Sequence, residues 1–95
     1  MTTEFLTLQK VVTTSGTPVA VGSQLIDDED TVVIKAKAAN TGSICIGSSS
    51  ADALNSGSAH FKLAAGEGVE LYCRNLNQIW IDATVSGEGV EVLIG

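Results

Sequence analysis

The sequence is poor in the residues that do chemistry. It has one histidine (His60), two cysteines (Cys45 and Cys73), one proline (Pro18) and five basic residues against eleven acidic ones. Its aromatics are Phe5, Phe61, Tyr72 and Trp80. A histidine acting as a general base needs a nucleophile and an orienting carboxylate close by. Asp52 and the loop serines are the only such neighbours in sequence, so a solvent-exposed or subunit-contact His60 is the simpler reading. Two cysteines and one distant histidine are too few ligands for a zinc site, and no cofactor is implied. A net charge of −6 disfavours nucleic acid or an anionic membrane as direct partner. No stretch approaches the roughly 20 apolar residues that span a bilayer as a helix. The opening Met1-Thr2-Thr3-Glu4 has neither a basic nor an apolar signal segment, so cytosolic synthesis with reduced thiols is expected.

What the chain does have is short β-strand grammar. Apolar residues make up 44% of the sequence with few aromatics, so the core must come from Val, Ile, Leu and Ala. No long 3.6-residue apolar pattern occurs. Extended segments are expected at Phe5–Thr14, Pro18–Val21, Gln24–Ile26, Val32–Ala38, Ser43–Gly47, Phe61–Leu63, Val69–Arg74, Ile79–Val85 and Val90–Ile94. Ala51–Leu54 reads as one helical turn, and Asn75-Leu76-Asn77 as a turn. In Val32–Ala38, Ile34, Ala36 and Ala38 share one face and Lys35 and Lys37 the other. About eight strands at roughly ten-residue spacing predict an all-β fold: a compact antiparallel β-sandwich or jelly roll, with an up-and-down barrel as the alternative. Residues 10–95 form the single domain. Residues 1–9 are either an edge strand or an arm that adds to a neighbouring subunit, with Phe5, Leu6 and Leu8 as apolar anchors.

Strand parity assigns faces to the remaining candidates. Cys45, between Ile44 and Ile46, points outward if those isoleucines point inward, and Cys73 shares inward parity with Val69 and Leu71. Opposite faces argue against a disulfide, leaving two free thiols. Ile79 and Ile81 face the core, which turns Trp80 outward with Asp82 and Thr84. An outward tryptophan is often an interface anchor, although the N-terminal segment of the same chain could cover it. Tyr72 has the same outward parity on the preceding segment, which would make it a cross-strand neighbour of Trp80. The run Asp27-Asp28-Glu29-Asp30 lacks the alternating ligands, glycine and terminal glutamate of a calcium loop and reads as solvated. Gly66-x-Gly68 and Gly87-x-Gly89 precede no helix, so they read as tight turns or bulges rather than a phosphate cradle.

Several of these segments, taken in order, resemble a family of small virion structural proteins of tailed bacteriophages. The resemblance lies in KVVTTSGTPVA from Lys10, VIKAKAANTG from Val33 and IGSSS from Ile46. It continues in LAAGEGVEL from Leu63, NLNQIWIDA from Asn75 and GEGV from Gly87, covering roughly residues 10 to 90. It implies a non-enzymatic capsid decoration, or cement, protein on the outside of the virion, made in the host cytoplasm. The implied partners are the major capsid protein and further copies of the chain, as a trimer in preference to a dimer. The contact residues expected are Phe5, Leu6, Leu8, Tyr72 and Trp80. Cys45 and Cys73 match nothing in the family pattern. The rival reading is a tail or fibre module that binds host-surface carbohydrate.

Overall fold

The chain pairs its first strand with its last and works inward. In the computed structural model, which describes residues 5–54 and 61–95, β1 (Leu6–Val11) pairs with β8 (Gly89–Ile94). β2 (Val19–Ala20) pairs with β7 (Trp80–Ala83), and β3 (Val32–Ala36) with β6 (Gly68–Leu71). β4 (Ile44–Gly47) pairs with β5 (Phe61–Leu63). All of these ladders are antiparallel. Two further ladders, β3 with β8 and β4 with β7, gather the strands into two sheets, β1-β8-β3-β6 and β2-β7-β4-β5. That order is a jelly roll: a long four-rung hairpin rolled over so that its rungs alternate between two layers.

The inner faces enclose an aliphatic core. Val32, Ile34, Ala36, Val90, Val92 and Ile94 come from the first sheet, and Ile44, Leu63, Ile81 and Ala83 from the second. No aromatic side chain is among the buried hydrophobic residues described. The inward parity of Val69, Leu71 and Cys73 holds, since all three pack against this core half-buried. β3 ends at Ala36, however, and Ala38 is exposed beyond it. There the chain turns: Asn40 N–H donates to Lys37 O, and the buried Asn40 side chain donates to Gly89 O at 2.9 Å.

Asn75–Asn77 is more than a turn. Leu76–Gln78 forms one 3₁₀ turn whose Leu76 is fully buried in the core. Asn75 Oδ1 accepts from Asn77 N–H, and Gln78 Oε1 accepts from Arg74 N–H and Asn75 N–H, a reciprocal cap that satisfies the turn's free donors. Gly66 and Gly87, at φ +82° and +87°, make the tight turns expected of them before β6 and β8.

Candidate functional site

The fold sets the five nominated contact residues in four different places. Phe5 and the outward side chains of β1 lie on the outer face of the first sheet. Register sets Thr7, Gln9 and Val11 beside Leu93, Glu91 and Gly89 of β8, and Leu93 and Glu91 beside Val33 and Lys35 of β3. Two shallow depressions, of about 530 and 340 Å³, cross this face and share Val33 and Leu93 as lining. Phe5 (69% exposed) and Leu93 (42%), with Val33 beside Leu93, leave an apolar strip open to water there, and Val11 (39%) is exposed apart from it at the far end of β1. Phe5 sits close over the sheet because Gly95 beside it has no side chain: a Cβ there would meet Phe5 Cβ at 3.0 Å. Leu6 and Leu8 point the other way, toward the space between the sheets. Leu8 packs half-buried against the core and Leu6 stays exposed at the edge.

Tyr72 and Trp80 are not neighbours. Tyr72 follows β6 of the first sheet and is exposed, whereas Trp80 opens β7 of the second sheet and is half-buried. The expected cross-strand pair fails because the chain changes sheets between them, through the Leu76 turn. Tyr72 instead borders a groove of about 660 Å³ where the two sheets part between β5 and β6. Its floor is Ile46, Val69, Leu71 and Ile79, with Phe61, Arg74 and Gln78 at its sides.

The outer face of the second sheet is where parity was right and its meaning was not. Cys45, Trp80 and Asp82 do point away from the core: Cys45 pairs with Asp82, and Gly47 with Trp80. Yet Cys45 and Asp82 are fully buried. Two pieces of the same chain cover them. The helical turn α1 (Ser50–Ala53), capped by Ser49 Oγ accepting from Asp52 N–H, packs on β4 and β7. Gly47 permits that approach, because a Cβ on it would lie 2.5 Å from Ala53 N. The loop around Ser15 and Gly16 folds over the other end. Gly16 N–H donates to Asp82 Oδ1 at 3.0 Å, Ser15 Oγ donates to Ala83 O at 2.7 Å, and Ser15 N–H donates to Ser86 Oγ at 2.8 Å. A buried carboxylate thereby accepts from the backbone of a loop that it helps to anchor.

Both thiols are free, as opposite faces predicted. Burial pushes the Cys45 thiol up; nearby Lys62 draws it back down and Asp82 adds to the rise. Burial likewise raises Cys73. Glu88 is a polar anchor at the surface: its carboxylate accepts from Thr41 N–H, Thr41 Oγ1 and Gly42 N–H at 2.6, 2.8 and 2.9 Å. Those two backbone donors hold its carboxyl below the usual carboxylate range. Among the described residues, no three potential ligands gather into a metal site. His60 lies outside the described residues, as do residues 1–4 of the N-terminal segment. No protein-family model, curated protein or solved structure matches the chain.

Proposed function

We propose that this chain is a non-enzymatic virion structural protein of a tailed bacteriophage, a decoration protein that binds the outer surface of the assembled head. The observation that carries the reading is the apolar strip of Phe5, Val33 and Leu93 on the outer face of the β1-β8-β3-β6 sheet. Exposed, contiguous apolar surface on a small acidic domain marks a contact site. The jelly roll, a fold shared by capsid and lectin domains, suits a part whose product is a surface. The sequence resemblance supplies the partner, a capsid lattice. A protein that binds only the assembled lattice stabilises it by mass action, and contacts repeated by symmetry add avidity.

The groove beside Tyr72 favours a second reading, the carbohydrate-binding tail or fibre module, because its rim sets an exposed aromatic together with the polar side chains of Arg74 and Gln78. One experiment separates the two. Purified protein is titrated against undecorated heads built from the major capsid protein of the same phage, and against host-surface glycans without capsids. Saturable binding to heads alone is expected; binding to glycans alone overturns the decoration reading.

A further inference from the structure

Among the described residues, four strands form the edges of the two sheets, and three of them are blunted. β2 is two residues long and follows Pro18, β5 is three residues long and carries Lys62, and β6 begins at Gly68 and carries Glu70. Short length, proline and charge are the devices that keep an open edge from pairing with another chain. β1 is six residues long, with no proline, glycine or acidic residue; its one charge, Lys10, is a lysine like Lys62 of β5, so it is the length of unbroken strand that sets this edge apart.

Register shows which backbone groups that edge presents. Val12 N–H donates to Glu88 O at 2.9 Å, and partners in an antiparallel ladder recur every second residue. Lys10, Leu8 and Leu6 therefore turn their N–H and C=O groups toward β8. Thr7, Gln9 and Val11 turn theirs outward, where no other described strand lies.

We propose that the β1 edge pairs antiparallel, about a two-fold axis, with the β1 edge of a second copy of this chain. Charge argues for a copy of itself. The protein carries eleven acidic residues, yet none falls between Phe5 and Ile26, so two acidic molecules meet here without opposing carboxylates. Side chains select the register. With Leu8 facing Leu8 of the second copy, Thr7 meets Gln9, Leu6 meets the stem of Lys10, and exposed Phe5 meets exposed Val11. The two lysines then stand four residues apart, about 13 Å, which is beyond the screening length of about 8 Å at physiological salt. Centring the pair on Gln9 would bring the lysines to about 7 Å and leave Phe5 without an apolar partner.

The product is one continuous eight-stranded sheet. Its two-fold axis runs through the sheet, so both copies of the Phe5–Val33–Leu93 strip lie on the same side. Doubling that strip raises avidity for a lattice, a consequence that rests on the decoration reading; the pairing itself does not. A two-fold edge gives a dimer rather than the trimer that the family resemblance favours. It engages seven residues a side, against about 20–30 in a standard interface, so the dimer is expected to dissociate on dilution.

Sedimentation up to about 1 mM protein and amide exchange test the pairing. The mass should rise toward twice 9.8 kDa with concentration. Thr7, Gln9 and Val11 amides should be protected at high concentration and exchange freely on dilution, while Leu8 and Lys10 stay protected throughout. Gln9→Pro removes no N–H from the β1–β8 ladder and should give a folded monomer. A mass that stays at one chain, a trimer, or a dimer that persists in folded Gln9→Pro overturns the proposal. If Gln9→Pro does not fold, the exchange pattern of the natural chain decides. A monomer that still coats capsids overturns the pairing alone, and a dimer that ignores them overturns the decoration reading alone.

Discussion

Asp82→Ala tests how the covered face of the second sheet is held. The Asp82 carboxylate is fully buried and accepts from Gly16 N–H at 3.0 Å and from Ala83 N–H at 2.8 Å. Removing it strips the loop of one of its anchors and leaves donors facing a space once filled by oxygen. A hydrogen bond to a charged acceptor contributes about 1.5–3 kcal/mol, and the desolvation left behind is of similar size, so a loss of about 3 kcal/mol is expected. For a domain this small, 1 kcal/mol moves the melting temperature by about 4–8 °C, so a fall of about 12–24 °C should be seen by calorimetry. Cys45 gives a second readout. It is the cross-strand partner of Asp82 beneath the same cover, so its thiol should react with a disulfide reagent faster in the variant than in the natural chain. Asp82→Asn keeps an acceptor oxygen and should lose less. Glu91→Ala, exposed on the other sheet, should stay within about 0.5 kcal/mol. An Asp82→Ala protein as stable as the Glu91→Ala control, with Cys45 equally slow to react, would refute the reasoning.

Leu76→Ala empties a fully buried site between the sheets and should cost about 2–5 kcal/mol in urea unfolding, against under about 0.5 kcal/mol for Leu25→Ala, which is 75% exposed. Gly47→Val should push α1 off β4 and β7, which intrinsic fluorescence of Trp80 would register as a shift toward the solvated spectrum. Glu88 titrates in a defined direction: its folded carboxyl is held low, so its contribution is full above the unfolded pKa and fades as pH falls through the folded one. Glu88→Gln should therefore be less stable than the natural chain at neutral pH. The gap should close in acid denaturation, and a gap that stays constant with pH would contradict the assignment.

Alternation in the sequence carried much of the fold and little of the surface. Phe61–Leu63 forms a strand with the expected bounds, and Ile34, Ala36, Val69 and Leu71 face inward as their spacing requires. Alternation reports which side of a strand a residue takes, but not what lies over that side. Cys45 and Asp82 read as outward and are buried, because the cover comes from the Ser15–Gly16 loop and α1, segments remote in sequence. Leu76 was hidden for a related reason. Flanked by Asn75 and Asn77 it reads as turn, and only the meeting of the two sheets makes it core. The Asn75-x-x-Gln78 spacing of a reciprocal cap did point to an ordered turn at Leu76, and an aspartate inside the otherwise apolar run Ile79–Ala83 pointed to the covered face. The Tyr72–Trp80 pairing failed because strand order, unlike parity, depends on which sheet each strand joins.

The claim that the outer face of the β1-β8-β3-β6 sheet meets a capsid is tested most directly by measuring how Leu93→Lys occupies undecorated heads. Leu93 is 42% exposed and outside the core, so the variant should fold with a melting temperature near that of the natural chain. If the face is the contact, a buried lysine should weaken binding tenfold or more, about 1.4 kcal/mol, at every concentration tried. Full occupancy by folded Leu93→Lys at the natural affinity would contradict the account.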